Sequence, residues 1–128
     1  MKTEVASSIE ELRRQFSTAL VTVQEDGQGG AYVIMESISL GPKYKPDNTW
    51  LGFHISAQYP YADIYPVFIG AETNRVDGRE FAAPVTRGHQ FQGRTAIQVS
   101  RRNGAAQNGL QKATTKILKV LDFLTRLE

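Results

Sequence analysis

Residues 54–70 read HISAQYPYADIYPVFIG: a strand-like start, three tyrosines and two prolines between Tyr59 and Pro66, then a strand-like end. Pro60 and Pro66 each remove a backbone donor, which excludes the interior of a helix or of a central strand. The stretch therefore reads as a rigid aromatic link between two apolar strands, WLGFHIS (50–56) and PVFIGA (66–71). Tyr59, Tyr61 and Tyr65 are expected to pack this link against the sheet and to buttress whatever strip of chain lies beside it.

Working outward, ASSIEELRRQFSTAL (6–20) reads as an opening helix. Ser7 or Ser8 would cap it, Glu10 and Glu11 suit its positive end, and Ile9, Leu12, Phe16 and Leu20 form one stripe. LVTVQED (20–26) follows as a strand, GQGG (27–30) as a turn, and AYVIMESISL (31–40) as the return strand. In that strand Tyr32, Ile34, Glu36 and Ile38 are expected on one face, and Val33, Met35 and Ser37 on the other. GPKYKPDNT (41–49) reads as a loop.

Downstream, residues 72–109 are broken by six glycine and proline positions and show no sustained period, so they read as irregular, with RTAIQVS (94–100) as a strand-like island. The chain closes on LQKATTKILKVLDFLTRLE (110–128). Leu110, Ile117, Leu121, Leu124 and Leu127 form its apolar stripe, with Lys112, Lys116 and Lys119 mostly outside it. The expected fold class is α+β: an N-terminal helix, a four-stranded antiparallel meander, a long irregular segment and a C-terminal helix, in a single domain spanning 1–128.

Composition narrows the functional classes. At 128 residues, 41% apolar and 22% charged, the chain has the make-up of an ordinary globular domain. Fifteen basic against thirteen acidic residues give a net charge of +2, too little to make nucleic acid the expected partner. No apolar run approaches the roughly 18–20 residues that span a bilayer. No apolar signal core follows Met1, so the expected location is the cytoplasm. There is no cysteine, which excludes disulfides and thiolate metal sites, and His54 and His89 are the only imidazoles.

The order helix, meander, Tyr-Pro-rich link, extended stretch, helix resembles the ubiquitin-conjugating enzyme family over roughly residues 5–127. YPYADIYP (59–66) stands where that family carries a Tyr-Pro motif between its third and fourth strands, although the proline spacing is looser. GRTAIQVS (93–100) has the outline of the family's catalytic strip, a glycine followed by alternating apolar residues, and places Ala96 at the position of the nucleophilic cysteine. The family's His-Pro-Asn signature is missing, since His89 is followed by Gln90 and Phe91. That departure and the compact size look closest to the divergent prokaryotic members of bacterial ubiquitin-like pathways, several of them linked to antiphage defence.

The resemblance implies a transferase whose chemistry needs no metal and no cofactor. A cysteine thiolate would accept a ubiquitin-like protein from an activating enzyme as a thioester and pass it to an amine of a target protein. Ala96 has no nucleophilic atom, so the chain as written cannot form that thioester. Two explanations stand side by side: alanine substituted for an encoded cysteine, or a naturally non-catalytic relative that still binds a ubiquitin-like protein or another partner. Around position 96, His89 is the candidate to tune a thiolate or bond the carbonyl, and Asn103 to supply an oxyanion donor. Asp63 is a candidate to orient an incoming lysine, though its place in a turn explains it as well. His54 reads as a half-buried or surface residue of a strand. Glu10, Arg13 and Arg14 of the first helix, and Arg101 and Arg102, are the candidate partner-binding residues.

Overall fold

The computed structural model describes residues 1–101 and 112–128. It is an α+β structure in which an N-terminal and a C-terminal helix accompany antiparallel strands. The elements are α1 (Thr3–Gln15), β1 (Val21–Glu25), β2 (Ala31–Ser39), β3 (Tyr44–Lys45), β4 (Asn48–Ile55), β5 (Val67–Gly70), β6 (Asn74–Arg75), β7 (Val85–Phe91), β8 (Arg94–Val99) and α2 (Ala113–Arg126). Six strands form one sheet in the order β1-β2-β4-β5-β8-β7, every neighbouring pair antiparallel, while β3 and β6 pair separately.

The four expected strands are present as β1, β2, β4 and β5, but the meander does not stop there. Within residues 72–100 the strand-like island at 94–100 is present as β8, and β7 joins it to extend the sheet by two strands, while β6 adds a short pair with β3 and 76–84 stay without helix or strand. Sequence pattern missed β7 because VTRGHQF places only Val85 and Phe91 in apolar surroundings, with a bulge between Thr86 and His89. That bulge shifts the register, so no period-2 pattern survives along the strand.

The same cause corrects the faces of β2. Its pairing with β4 slips between Met35 and Ile38, where Ser37 takes φ +62°. Ile38 is thereby turned into the core, 4% exposed, rather than sharing a face with Tyr32 and Ile34. α1 begins earlier than expected: Lys2 is its N-cap, and Ser8 lies inside the helix, its hydroxyl donating to the Val5 carbonyl at 2.7 Å. The helix ends before Leu20, which is 64% exposed and not part of the stripe.

Both helices pack on one face of the sheet. Val5, Ile9 and Leu12 of α1 and Ile117, Val120 and Leu124 of α2 join Val33, Leu51, Phe53 and Ile97 in one buried cluster. No helix is long and apolar enough to cross a membrane among the described residues. Lys116, expected outside the stripe, is only 4% exposed. Its Nζ donates to Asp63 at 3.1 Å and to the Arg101 carbonyl at 2.6 Å, which is how a buried ammonium is satisfied.

The Tyr/Pro link takes its place from these contacts. The Tyr59 hydroxyl accepts from the Ala113 N–H at 3.1 Å, at the start of α2, while Ile64 is fully buried. The link thus holds the C-terminal helix to the end of β4, and its Tyr59 and Ile64 share one buried cluster with Ile97 and Val99 of β8. Tyr61 does not pack at all; it is 82% exposed.

Candidate functional site

The face of the sheet opposite the helices carries position 96. Along β8, Ile97 and Val99 enter the core under the helices, so Ala96 points the other way. There it packs in a second small cluster with Trp50 and Phe91, joined by Tyr32, Ile34 and Phe68. Ala96 is 1% exposed. Its cross-strand neighbours are Gly70 of β5 and His89 of β7.

Small residues make this packing possible. A Cβ at Gly52 would lie 2.6 Å from the Phe91 ring, so the ring occupies the space that any other residue would need. Phe91 stacks on Phe68 with ring centres 4.9 Å apart and meets Trp50 at 6.3 Å. The Arg94 guanidinium lies over Trp50, 5.3 Å from the ring centre, and pairs with Glu36 at 2.6 Å. The β7–β8 hairpin therefore folds its end across the open face and roofs part of it.

His89 is brought beside position 96 as a cross-strand partner. Its Nε2 hydrogen-bonds the Thr86 hydroxyl at 2.9 Å, spanning the bulge, and its ring stands 6.5 Å from Phe68. At the neighbouring Gly70, an added Cβ would collide with Thr49 Oγ1 and the Glu72 carboxylate. The Thr49 hydroxyl donates to Glu72 at 2.6 Å, which puts a carboxylate next to the cross-strand partner of position 96. Sequence reasoning missed Glu72 and Thr49, because only the β5–β8 pairing brings Gly70 to Ala96.

The remaining candidates among the described residues lie apart from this cluster. Asn103 and Arg102 fall outside the described residues. Glu10, Arg13 and Arg14 sit on α1, on the far side of the sheet from Ala96. Glu10 is 3.7 Å from Arg13, and Arg13 also donates to the Val21 carbonyl at 2.7 Å. Arg101 follows β8 and lays its guanidinium over Phe123 at 4.7 Å. Asp63 does meet a lysine, but one of this chain's own, Lys116. Burial lowers the Lys116 pKa, and the Asp63 hydrogen bond opposes that shift.

His54 is half-buried, the first of the two placements its strand position allowed, and it has partners. Its Nε2 lies 2.7 Å from Asp26, and its ring stacks on Tyr32 at 4.5 Å. Asp26 also accepts from the N–H groups of Gln28 and Gly30, at 2.8 Å and 3.0 Å. The His54 hydrogen bond and then these backbone donors hold its carboxyl below the ordinary range. This cluster pins the β1–β2 turn to β4.

No group of three or more His, Cys, Asp or Glu side chains is arranged to hold a metal ion among the described residues. Comparison with family models, with curated proteins and with solved structures finds no match to this chain.

Proposed function

We propose that this chain is a conjugating-enzyme-like domain with no transfer chemistry of its own, which binds a ubiquitin-like protein or a component of its pathway in the cytoplasm. The burial of Ala96 carries the reading. Its methyl group is 1% exposed in a cluster with Trp50 and Phe91, within a fully paired strand. A thiolate nucleophile needs access to an incoming carbonyl and to the amine that follows. Here alanine is explained as a residue small enough for two rings to cover. The family assignment is supported by the order of helix, strands and helix and by the YPYADIYP link between β4 and β5. Bacterial ubiquitin-like pathways, antiphage systems among them, supply the proposed setting.

A second reading is favoured by one observation, the cross-strand pairing of His89 with position 96. A cysteine there would have an imidazole beside it to tune its thiolate. The two readings separate in one experiment. The Ala96→Cys variant is incubated with ATP, an activating enzyme and the ubiquitin-like protein encoded beside it, and run on a non-reducing gel; binding of the same protein to the unmodified chain is measured by titration. Binding without a thiol-sensitive adduct supports the non-catalytic module. A thiol-sensitive adduct establishes the transferase instead, and absence of both overturns the pathway assignment.

A further inference from the structure

One carboxylate holds the β1–β2 turn to the neighbouring strand. Asp26 Oδ1 accepts from the Gln28 and Gly30 N–H groups, and Asp26 Oδ2 lies 2.7 Å from Nε2 of His54 on β4. A Cβ at Gly30 would meet both the Ile55 carbonyl and Asp26 Oδ2, so turn, carboxylate and strand lie in contact. The Asp26 side chain is 8% exposed and that of His54 38%, which shuts the carboxylate away and leaves the imidazole within reach of solvent protons. Tyr32 of β2, the cross-strand partner of His54, stacks on the ring at 4.5 Å. Two more charged groups stand at this corner. Glu25 of β1 is paired with the Met1 ammonium at 2.7 Å, and Lys2, at the start of α1, donates its N–H to the Gly29 carbonyl at 2.9 Å.

Imidazole is the side chain whose charge changes between about pH 5 and 8, and its bond to a carboxylate is stronger when it is charged. We propose that Asp26 and His54 form a pH-sensitive clasp on the β1–β2 turn, tight while His54 is charged and looser once it is neutral. The same carboxylate receives the imidazole and both turn amides, so the charge of His54 is felt at Gln28 and Gly30. The clasp also has an acid limit. The His54 hydrogen bond and then the Gln28 N–H hold the Asp26 carboxyl below the ordinary range, and the clasp lets go as pH falls through that lowered value. The far side of the turn touches α1 and the Tyr/Pro link: a Cβ at Gly29 would lie 3.3 Å from the side chains of both Lys2 and Ala57. Those two residues and Tyr61 line a hollow of about 300 Å³, one wall of which the clasp therefore steadies. The inference does not depend on the chemistry of position 96.

The test follows the full chain by NMR from about pH 5 to 8. The Gln28 and Gly30 amide protons are expected to titrate together with the His54 ring protons. Protection of the Gly30 amide, corrected for its intrinsic exchange rate, is expected to fall about threefold from the acid to the alkaline end. Asp26→Asn keeps a side-chain carbonyl for the turn amides but removes the charge. It is expected to abolish the titration of both amides while circular dichroism reports an unchanged fold, and His54→Gln is expected to do the same. Amide signals of Gln28 and Gly30 that stay fixed while the His54 ring titrates overturn the proposal. So does an amide titration that persists in His54→Gln, which would assign it to another group.

Discussion

On the helix-covered face, Leu51, Phe53, Ile69 and Ile97 meet Leu12, Ile117 and Leu124 in an aliphatic core. On the opposite face of the same strands, Trp50 and Phe91 lie against Ala96, with Phe91 in the space above Gly52. The first face is filled by large side chains from two layers. The second is filled by rings from the sheet itself, and works because the residues beneath them are small. Substitutions should therefore act in opposite senses: the covered face suffers from lost volume, the open face from added volume.

Four measurements test that contrast. The largest loss is expected from Leu124→Ala, fully buried under the helices, at about 2–5 kcal/mol of unfolding free energy by chemical denaturation. A loss below the range for surface substitutions would mean that α2 is not docked as described. Next, Gly52→Ala is expected to cost about 1–3 kcal/mol by overpacking, and the cost should shrink when Phe91→Ala is added. Additive costs would break the contrast, since Gly52 and Phe91 would then not share one space.

The third test is a pH dependence. Burial lowers the Lys116 pKa below the ordinary 10.5. Between the lowered native value and 10.5 the unfolded chain binds more protons, so stability attributable to this group rises with pH across that window. Below the window the lysine is charged in both states and the cost of burying the charge is fully present. Lys116→Met should flatten the rise in urea midpoint on the alkaline side of neutrality, and equal slopes would contradict the assignment. The smallest effect is expected at the surface of the open face. Arg94→Gln removes the Glu36 pair and the contact over Trp50 for about 0.5–1 kcal/mol, read from the same denaturation curves.

The α+β class, both helices and four strands were legible because each rests on local periodicity: Ile9 and Leu12 in α1, Ile117 and Leu124 in α2, and the apolar runs of β1, β2, β4 and β5. What failed depended on long-range pairing. β7 has too few apolar residues to announce itself and exists because β8 pairs with it on one side and β5 on the other. Lys116 was placed outside by pattern, and only Asp63, distant in sequence, explains why it is buried. At the candidate site, His89 and Ala96 were singled out by sequence and do face each other. Glu72, Thr49 and the Trp50–Phe91 cover could not be found without the sheet order.

The central claim is that position 96 is a packing site covered by aromatic rings, and the absence of cysteine elsewhere makes it directly measurable. In the Ala96→Cys variant the only thiol in the chain is placed there. Its reaction with a thiol-specific reagent is followed in native buffer and in denaturant, with the fold checked by circular dichroism. The account predicts a thiol that is shielded in the folded chain and reacts freely once the chain unfolds. A native rate equal to the denatured one would show an accessible nucleophile position and contradict it.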